Sequence, residues 1–287
     1  MDQETTDQVT MRAAGGGGGR PAPSRTSQSV ASLRSQFLRP SSPGGDSTAQ
    51  VGLCAGMAPT RSLRLRAHLV ARTRFVDDEV VRAIGGGTGQ IVILGAGYDD
   101  RALRFRSPGV HYFELDHPAT QSDKRQRLRR MGADLTQVTL EAADFRSDDV
   151  AAVLARGGHD ADLPSLFICE GLLVYLDQAT ILGLLAGLRS RAAPGSSLVA
   201  SLAVHPDGID TEAVLDRANT ARPGASTEPW LTILPASSHL GLVARSGWAP
   251  TSCRDDATFG TGAPPGRSLC LVAQPAAVPR EPGRPEQ

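Results

Sequence analysis

Residues 91–105, IVILGAGYDDRALRF, constrain the fold of this chain more than any other stretch. They join a strand of buried character to a helix through a glycine turn, the unit at which an α/β protein holds a nucleotide-like ligand. In the dinucleotide form GxGxxG the third glycine falls at position 100, where Asp100 stands with Asp99 beside it. The free N–H groups and dipole of a helix N-terminus draw anions, so two resident aspartates both occupy and repel the place a diphosphate needs. A ligand without phosphates fits better. S-adenosylmethionine (SAM) has an adenosine to seat and a cationic amino and sulfonium end that tolerates carboxylates.

Helix and strand signals alternate on both sides of this unit. Apolar spacing predicts a helix over 61–84, stopped by Gly85 to Gly87, and a first strand from Gln90. Further strands are expected over 110–116, about 137–141, 165–169 and 197–204. Helices are expected from Pro118 to near Gly132 and from Asp177 to Pro194, and a last one over 236–246. Strands near 248–254 and 268–273 complete a mainly parallel sheet with helices on both faces. Residues 1–47 are rich in Gly, Ser, Pro and Arg and read as a disordered tail, as does the Pro-rich end 274–287. One domain is expected over 48–273, with 206–230 as an insertion over the sheet's ligand edge.

Charge narrows the partners. Thirty basic and 30 acidic residues leave no net field to pull the chain onto nucleic acid or an anionic membrane. Lys124 is the only lysine. The four cysteines are widely spaced, with no CxxC or Cys/His cluster, so neither a metal site nor a disulfide framework is expected. No apolar run approaches the roughly 18 residues of a membrane span, so a cytoplasmic protein is expected.

Ligands of open parallel sheets bind beyond the carboxyl ends of the strands. The residues there are Gly95 and Gly97, Asp116, Asp144 and Phe145, and Glu170. Asp116 stands where an acid can take ribose hydroxyls, with Glu114 a competitor on the same strand. Asp144 can accept from an adenine amino group while Phe145 flanks the ring, and Glu170 can take an amino group. Each has a plainer reading: a turn needs glycine whatever binds there, and an aspartate caps a helix or lies in a solvated loop. Glu170 resists that reading, since it follows an apolar strand where a charge needs a partner.

ARTRFVDD, IVILGAGYDDRALRF, YFELDHP, AADFR and CEGLLVYL follow one another in the order and spacing of the leucine carboxyl methyltransferase family and its actinobacterial relatives. The resemblance covers roughly residues 48–273. It implies a class I SAM-dependent methyltransferase fold, Rossmann-like, with a mainly parallel seven-stranded sheet. It further implies that Arg72 binds the methionine carboxylate, that Gly95 lines the cofactor and that Asp116 holds the ribose. On the same resemblance Asp144 and Phe145 contact the adenine, and Glu170 lies near the amino acid end. A guanidinium can grip a carboxylate through two parallel hydrogen bonds, which suits Arg72; Arg66 and Arg74 are its rivals. Before Arg72 the chain departs from the family, with a shortened segment where cofactor cover and substrate entry are expected.

The expected activity is transfer of a methyl group to a carboxylate or hydroxyl of a small molecule. A carboxylate is ionised near neutral pH and needs no general base; for a hydroxyl, His205 is the best placed histidine. Two other readings remain. An NAD(P)-dependent oxidoreductase could use the same layout, against Asp100 and the lack of a recognisable Tyr/Lys pair. A non-catalytic SAM-binding protein would suit the shortened segment. Nucleic-acid methylation is disfavoured, because CEGLLVY stands where an Asn/Asp-Pro-Pro-aromatic motif would follow the fourth strand.

Overall fold

The computed structural model describes residues 22–61, 63–221, 227–255 and 267–277. Five strands run parallel: β1 (Gln90–Leu94), β2 (His111–Asp116), β3 (Val138–Ala142), β4 (Ser165–Cys169) and β5 (Ser197–His205). A two-residue β6 (Leu234–Pro235) pairs with the end of β5, and β7 (Trp248–Asp255) and β8 (Arg267–Pro275) close the edge antiparallel. The order is β3-β2-β1-β4-β5-β8-β7. Strand order therefore reverses between β1 and β4, the switch point where open α/β sheets leave a crevice for ligand.

Period-two alternation sorts the strand side chains to two faces. Val92, Leu94, Phe113, Leu115 and Phe167 pack on one side with Trp248, against α6 (Val150–Arg156), α7 (Gln178–Ser190) and α9 (Ala236–Arg245). Ile91, Ile93, Tyr112 and Ile168 pack on the other with Phe75, Val76 and Val80 of α3 (Leu63–Gly85). The predicted helix over 61–84 and the predicted strands form close to their expected bounds, and the last two strands pair antiparallel, which periodicity alone does not reveal. Between them lie α4 (Arg101–Arg104), α5 (Pro118–Arg130) and, inside the expected insertion, α8 (Thr211–Thr220). No residue of α8 is buried. It presents no core-facing stripe, which is why the pattern weakens there.

The expected disordered tail over 1–47 is corrected for its described part. Residues 22–47 contain α1 (Arg25–Arg34) and lead into α2 (Ala49–Leu53); residues 1–21 lie outside the described residues. Composition misled because α1 buries only its last four residues, Ala31 to Arg34. A ten-residue helix is marginal alone, so tertiary contacts hold it. Ser24 caps it, accepting from the Ser27 amide at 3.0 Å. The following segment wraps α4, where the Ser42 and Asp46 amides donate to the Arg104 and Leu103 carbonyls, each at 3.0 Å. At the other end, Gln274 and Pro275 belong to β8 and pair opposite Ala249 and Trp248, so the second expected tail starts later than 274; residues 278–287 lie outside the described residues.

Candidate functional site

Gly95 and Gly97 of the β1–α4 turn have φ of 64° and 51°, the left-handed region that a side chain enters only at a cost. The turn is tied to the next strand by Asp116: its Oδ2 accepts from the Gly97 amide at 2.5 Å and its Oδ1 from the His117 amide at 2.6 Å. Burial pushes the Asp116 carboxyl above its ordinary range, and the two backbone amides offset this only in part. Glu114 points to the same face but goes inward, paired with the buried Lys124. The Lys124 Nζ also donates to the Asp99 carbonyl at 2.7 Å. Burial raises the Glu114 carboxyl against the pull of Lys124. The two acids of β2 thus separate, Glu114 within the fold and Asp116 at the rim.

Beyond β4, the Glu170 side chain is 3% exposed and meets three guanidiniums. Arg34 Nη2 lies 2.5 Å and Arg72 Nε 2.9 Å from its Oε1, and Arg101 Nη1 lies 2.7 Å from its Oε2. The pairing continues inward. Asp99 pairs with Arg101 and Arg34, Asp77 with Arg101 and Arg104, and Asp100 with Arg104 and with both terminal nitrogens of Arg39. Five arginines therefore share four carboxylates. Burial alone would raise Glu170, but Arg34, Arg101 and Arg72 outweigh it and hold the carboxyl well below the usual range. Asp99 is likewise brought down to about 2, burial being outweighed by Arg101 and Arg34. Arg72 completes the set differently: its Nη1 and Nη2 have no hydrogen-bond partner among the described residues and lie 3.2 Å from where a Cβ on Gly171 would stand.

The expected repulsion of phosphate by Asp99 and Asp100 takes another form. Neither carboxylate faces the crevice as a bare anion; both are buried against arginines. Asp99 Oδ1 accepts the Arg101 amide at 2.8 Å, and Asp100 is the N-cap of α4 without a side-chain capping bond.

On the β3 side, the Ala143 amide donates to the Asp116 carbonyl at 2.9 Å and brings Asp144 to the same rim. Asp144 is half-buried and orders its own loop: its Oδ1 accepts the Arg146 amide at 3.1 Å, and its amide donates to Asp148 at 2.8 Å. Phe145 packs partly on the core and lines a groove with Thr180, Gly183 and Leu184. The structure thus brings Gly97 to Asp116 and Arg72 to Glu170, places Gly95 against Leu172, and leaves Asp144 and Phe145 without a bond to either pair. His205 is engaged at both ring nitrogens, by the Pro206 carbonyl at 2.8 Å and Thr211 Oγ1 at 2.9 Å, away from the role of base. Trp230 is half-buried, its backbone held by Asn219 at 2.8 and 2.9 Å.

Sequence reasoning assigned no role to Arg34, Asp77 or Arg101. Asp77 carried a signal: with Thr73 and Val80 it lies on the buried stripe of α3, where a charge demands a partner. Arg34, in a Ser-rich segment, carried none.

The model of the family described as leucine carboxyl methyltransferase matches residues 43–189. A protein of Streptomyces coelicolor, named as a candidate S-adenosyl-L-methionine-dependent methyltransferase, is 37% identical over 195 residues, 67% of this chain and 65% of its own length. One of Streptomyces avermitilis with the same designation is 34% identical over 197 residues, 68% of this chain and 67% of its own. The chain spans about two thirds of the length of these relatives. Among solved structures, a candidate methyltransferase of Thermobifida fusca aligns with a TM-score of 0.55 at 16% identity, covering 89% of this chain and 96% of that one. The magnesium protoporphyrin IX methyltransferase of Synechocystis, solved with bound S-adenosylhomocysteine (SAH), aligns with a TM-score of 0.51 at 16% identity, covering 77% and 90%. These likenesses establish the fold class: the mainly parallel sheet of SAM-dependent methyltransferases.

Proposed function

Since the chain belongs to the leucine carboxyl methyltransferase family, we propose that it is a SAM-dependent methyltransferase that methylates an oxygen, carboxylate or hydroxyl, of a small molecule. The observation that carries the reading is the Arg72–Glu170 pair at the switch point, where one guanidinium is held through Nε and keeps both terminal nitrogens without a hydrogen-bond partner among the described residues. That arrangement fits an amino acid: the two uncommitted nitrogens can take a carboxylate in two parallel bonds, while Glu170 takes an ammonium.

The remaining residues follow from their positions. Asp116, at the rim, is the ribose ligand in this reading, because Glu114 is committed to Lys124. Asp144 and Phe145 receive the adenine. Gly95 and Gly97 keep the turn free of side chains, so that backbone can approach the ligand. When bound, SAM supplies an electrophilic methyl group on a sulfonium. The chain's own work is to align the acceptor oxygen behind that carbon and exclude water. A carboxylate acceptor needs no proton removed, in keeping with the engagement of both His205 nitrogens.

Isothermal titration with SAH, with NAD as comparison ligand, tests the reading. Micromolar binding of SAH alone is the expected result, and methyl transfer from labelled SAM to a panel of carboxylic and phenolic acceptors then separates the two oxygen classes. Binding of NAD alone would overturn it. Binding of SAM with no transfer to any acceptor would leave a SAM-binding protein without the enzyme.

A further inference from the structure

Helix α1 runs along the strand rim and touches it at three places in a definite order. Near β2, the Ser24 amide donates to Thr120 Oγ1 at 3.0 Å. Over the glycine turn, the Ser27 side chain lies 3.0 Å from where a Cβ on Gly97 would stand. Beyond β4, Arg34 reaches Glu170 at 2.5 Å, Asp99 at 3.4 Å and Thr73 at 3.3 Å. The Thr26 amide is tied to Glu228 of the 206–230 segment at 3.1 Å. Ribose end, glycine turn and amino acid end are the stations at which SAM is seated in the function proposed above.

We infer that α1 fills the cofactor's own trough, with Arg34 at Glu170 in place of the cofactor's cationic end, so that SAM and the seated helix compete. This rests on the SAM reading and adds a specificity determinant to it. SAM carries one carboxylate, one ammonium and one sulfonium, a net charge equal to that of the guanidinium it would displace. The two therefore exchange at the buried carboxylates charge for charge, and neither state leaves Glu170 and Asp99 short of a cation. SAH is neutral overall. Transfer of the methyl group breaks the carbon–sulfur bond and returns its electron pair to sulfur, so the cation is lost and Arg34 regains the advantage. Product then leaves as α1 reseats.

The helix is built to come away. Only its last turn is buried, and a free helix of this length unravels in water. Displacement is therefore readable as amide hydrogen exchange over 25–34. In the full-length protein, saturating SAM is expected to speed that exchange by about tenfold or more, and SAH by less. Two variants act on the helix from different ends. Ser27→Trp cannot fit over Gly97 and keeps every charged side chain in the sequence; Arg34→Gln removes the competing cation. Each is expected to tighten SAM binding by about tenfold, since the open fraction rises. Exchange over 25–34 that is unchanged or slowed by SAM, or weaker binding in both variants, would overturn the competition and make α1 a wall of the site. No SAM binding by wild type or either variant would sink the cofactor reading itself, and the competition with it.

Discussion

At the β4 end of the rim the Glu170 side chain is 3% exposed and paired with three guanidiniums, whereas at the β3 end Asp144 bonds only within its own loop. The first carboxylate is part of a lattice that runs through Asp99 to Asp77, and its charge is matched before any ligand arrives. The second owes nothing to distant parts of the chain. In the function proposed above, a charged ligand end would meet a prebuilt, costly environment, while a flat aromatic ring would meet a small local loop. Substitutions at the two ends should differ in stability as much as in binding.

The largest effect is expected from Glu170→Ala, which strands three guanidiniums. Breaking a buried ionic group costs about 3–5 kcal/mol, so urea unfolding should shift by that order and SAM binding should be lost. A cost below about 1 kcal/mol would mean that the lattice tolerates a gap and that the contrast between the ends is not energetic. Acid should act next. The folded-state values of Glu170 and Asp99 are depressed, so their stabilisation is complete above the unfolded carboxylate range of about 4 and is lost as pH falls through the depressed values, about 2 for Asp99. Glu114 and Asp116 are raised, so their protonation works the other way and favours the fold as pH falls. Stability measured at pH 7, 5 and 3 should therefore drop steeply at the last step, and Glu170→Gln should flatten that drop. A drop of equal size in this variant would assign acid sensitivity elsewhere.

Asp116→Asn separates binding from folding at the middle of the rim. Its amide can still accept from the Gly97 N–H, so the expected stability loss is about 1 kcal/mol, while loss of a charged acceptor for ribose should weaken SAH by roughly tenfold or more. Unchanged affinity in calorimetry would remove Asp116 from the site. The smallest effect belongs to Asp144→Ala, with stability expected within about 0.5 kcal/mol. SAH affinity should fall by only a few fold. Should this variant unfold the chain as Glu170→Ala does, the two ends would be one structure after all.

Much of this molecule was legible in the sequence, for reasons specific to each part. QIVIL and SLFIC could be read as strands because both faces of a central parallel strand are buried and the apolar run is unbroken. The terminus of α5 was legible in Pro118, and that of α7 in Asp177, which caps through the Thr180 amide at 2.8 Å. In the candidate site, position after a strand pointed to Asp116 and Glu170 but could not separate Asp116 from Glu114, since alternation puts both on one face. Lys124, eight residues beyond Asp116 and on another element, makes the separation. Segment 22–47 was illegible because its contribution lies in long-range bonds from Ser24, Ser42 and Arg34, none of which leaves a periodic trace.

Local pattern alone determined the strand-turn-helix unit, the strands and main helices around it and the glycines at 95 and 97, because burial periodicity and backbone angles are properties of neighbouring residues. Tertiary structure decided what the charges do: that Asp99 and Asp100 face arginines, that Glu114 retires to Lys124, and that a serine-rich segment lies over the glycine turn with its arginine on Glu170. A buried charge is stable only with a partner, and partners 65 or 136 residues away are chosen by the fold.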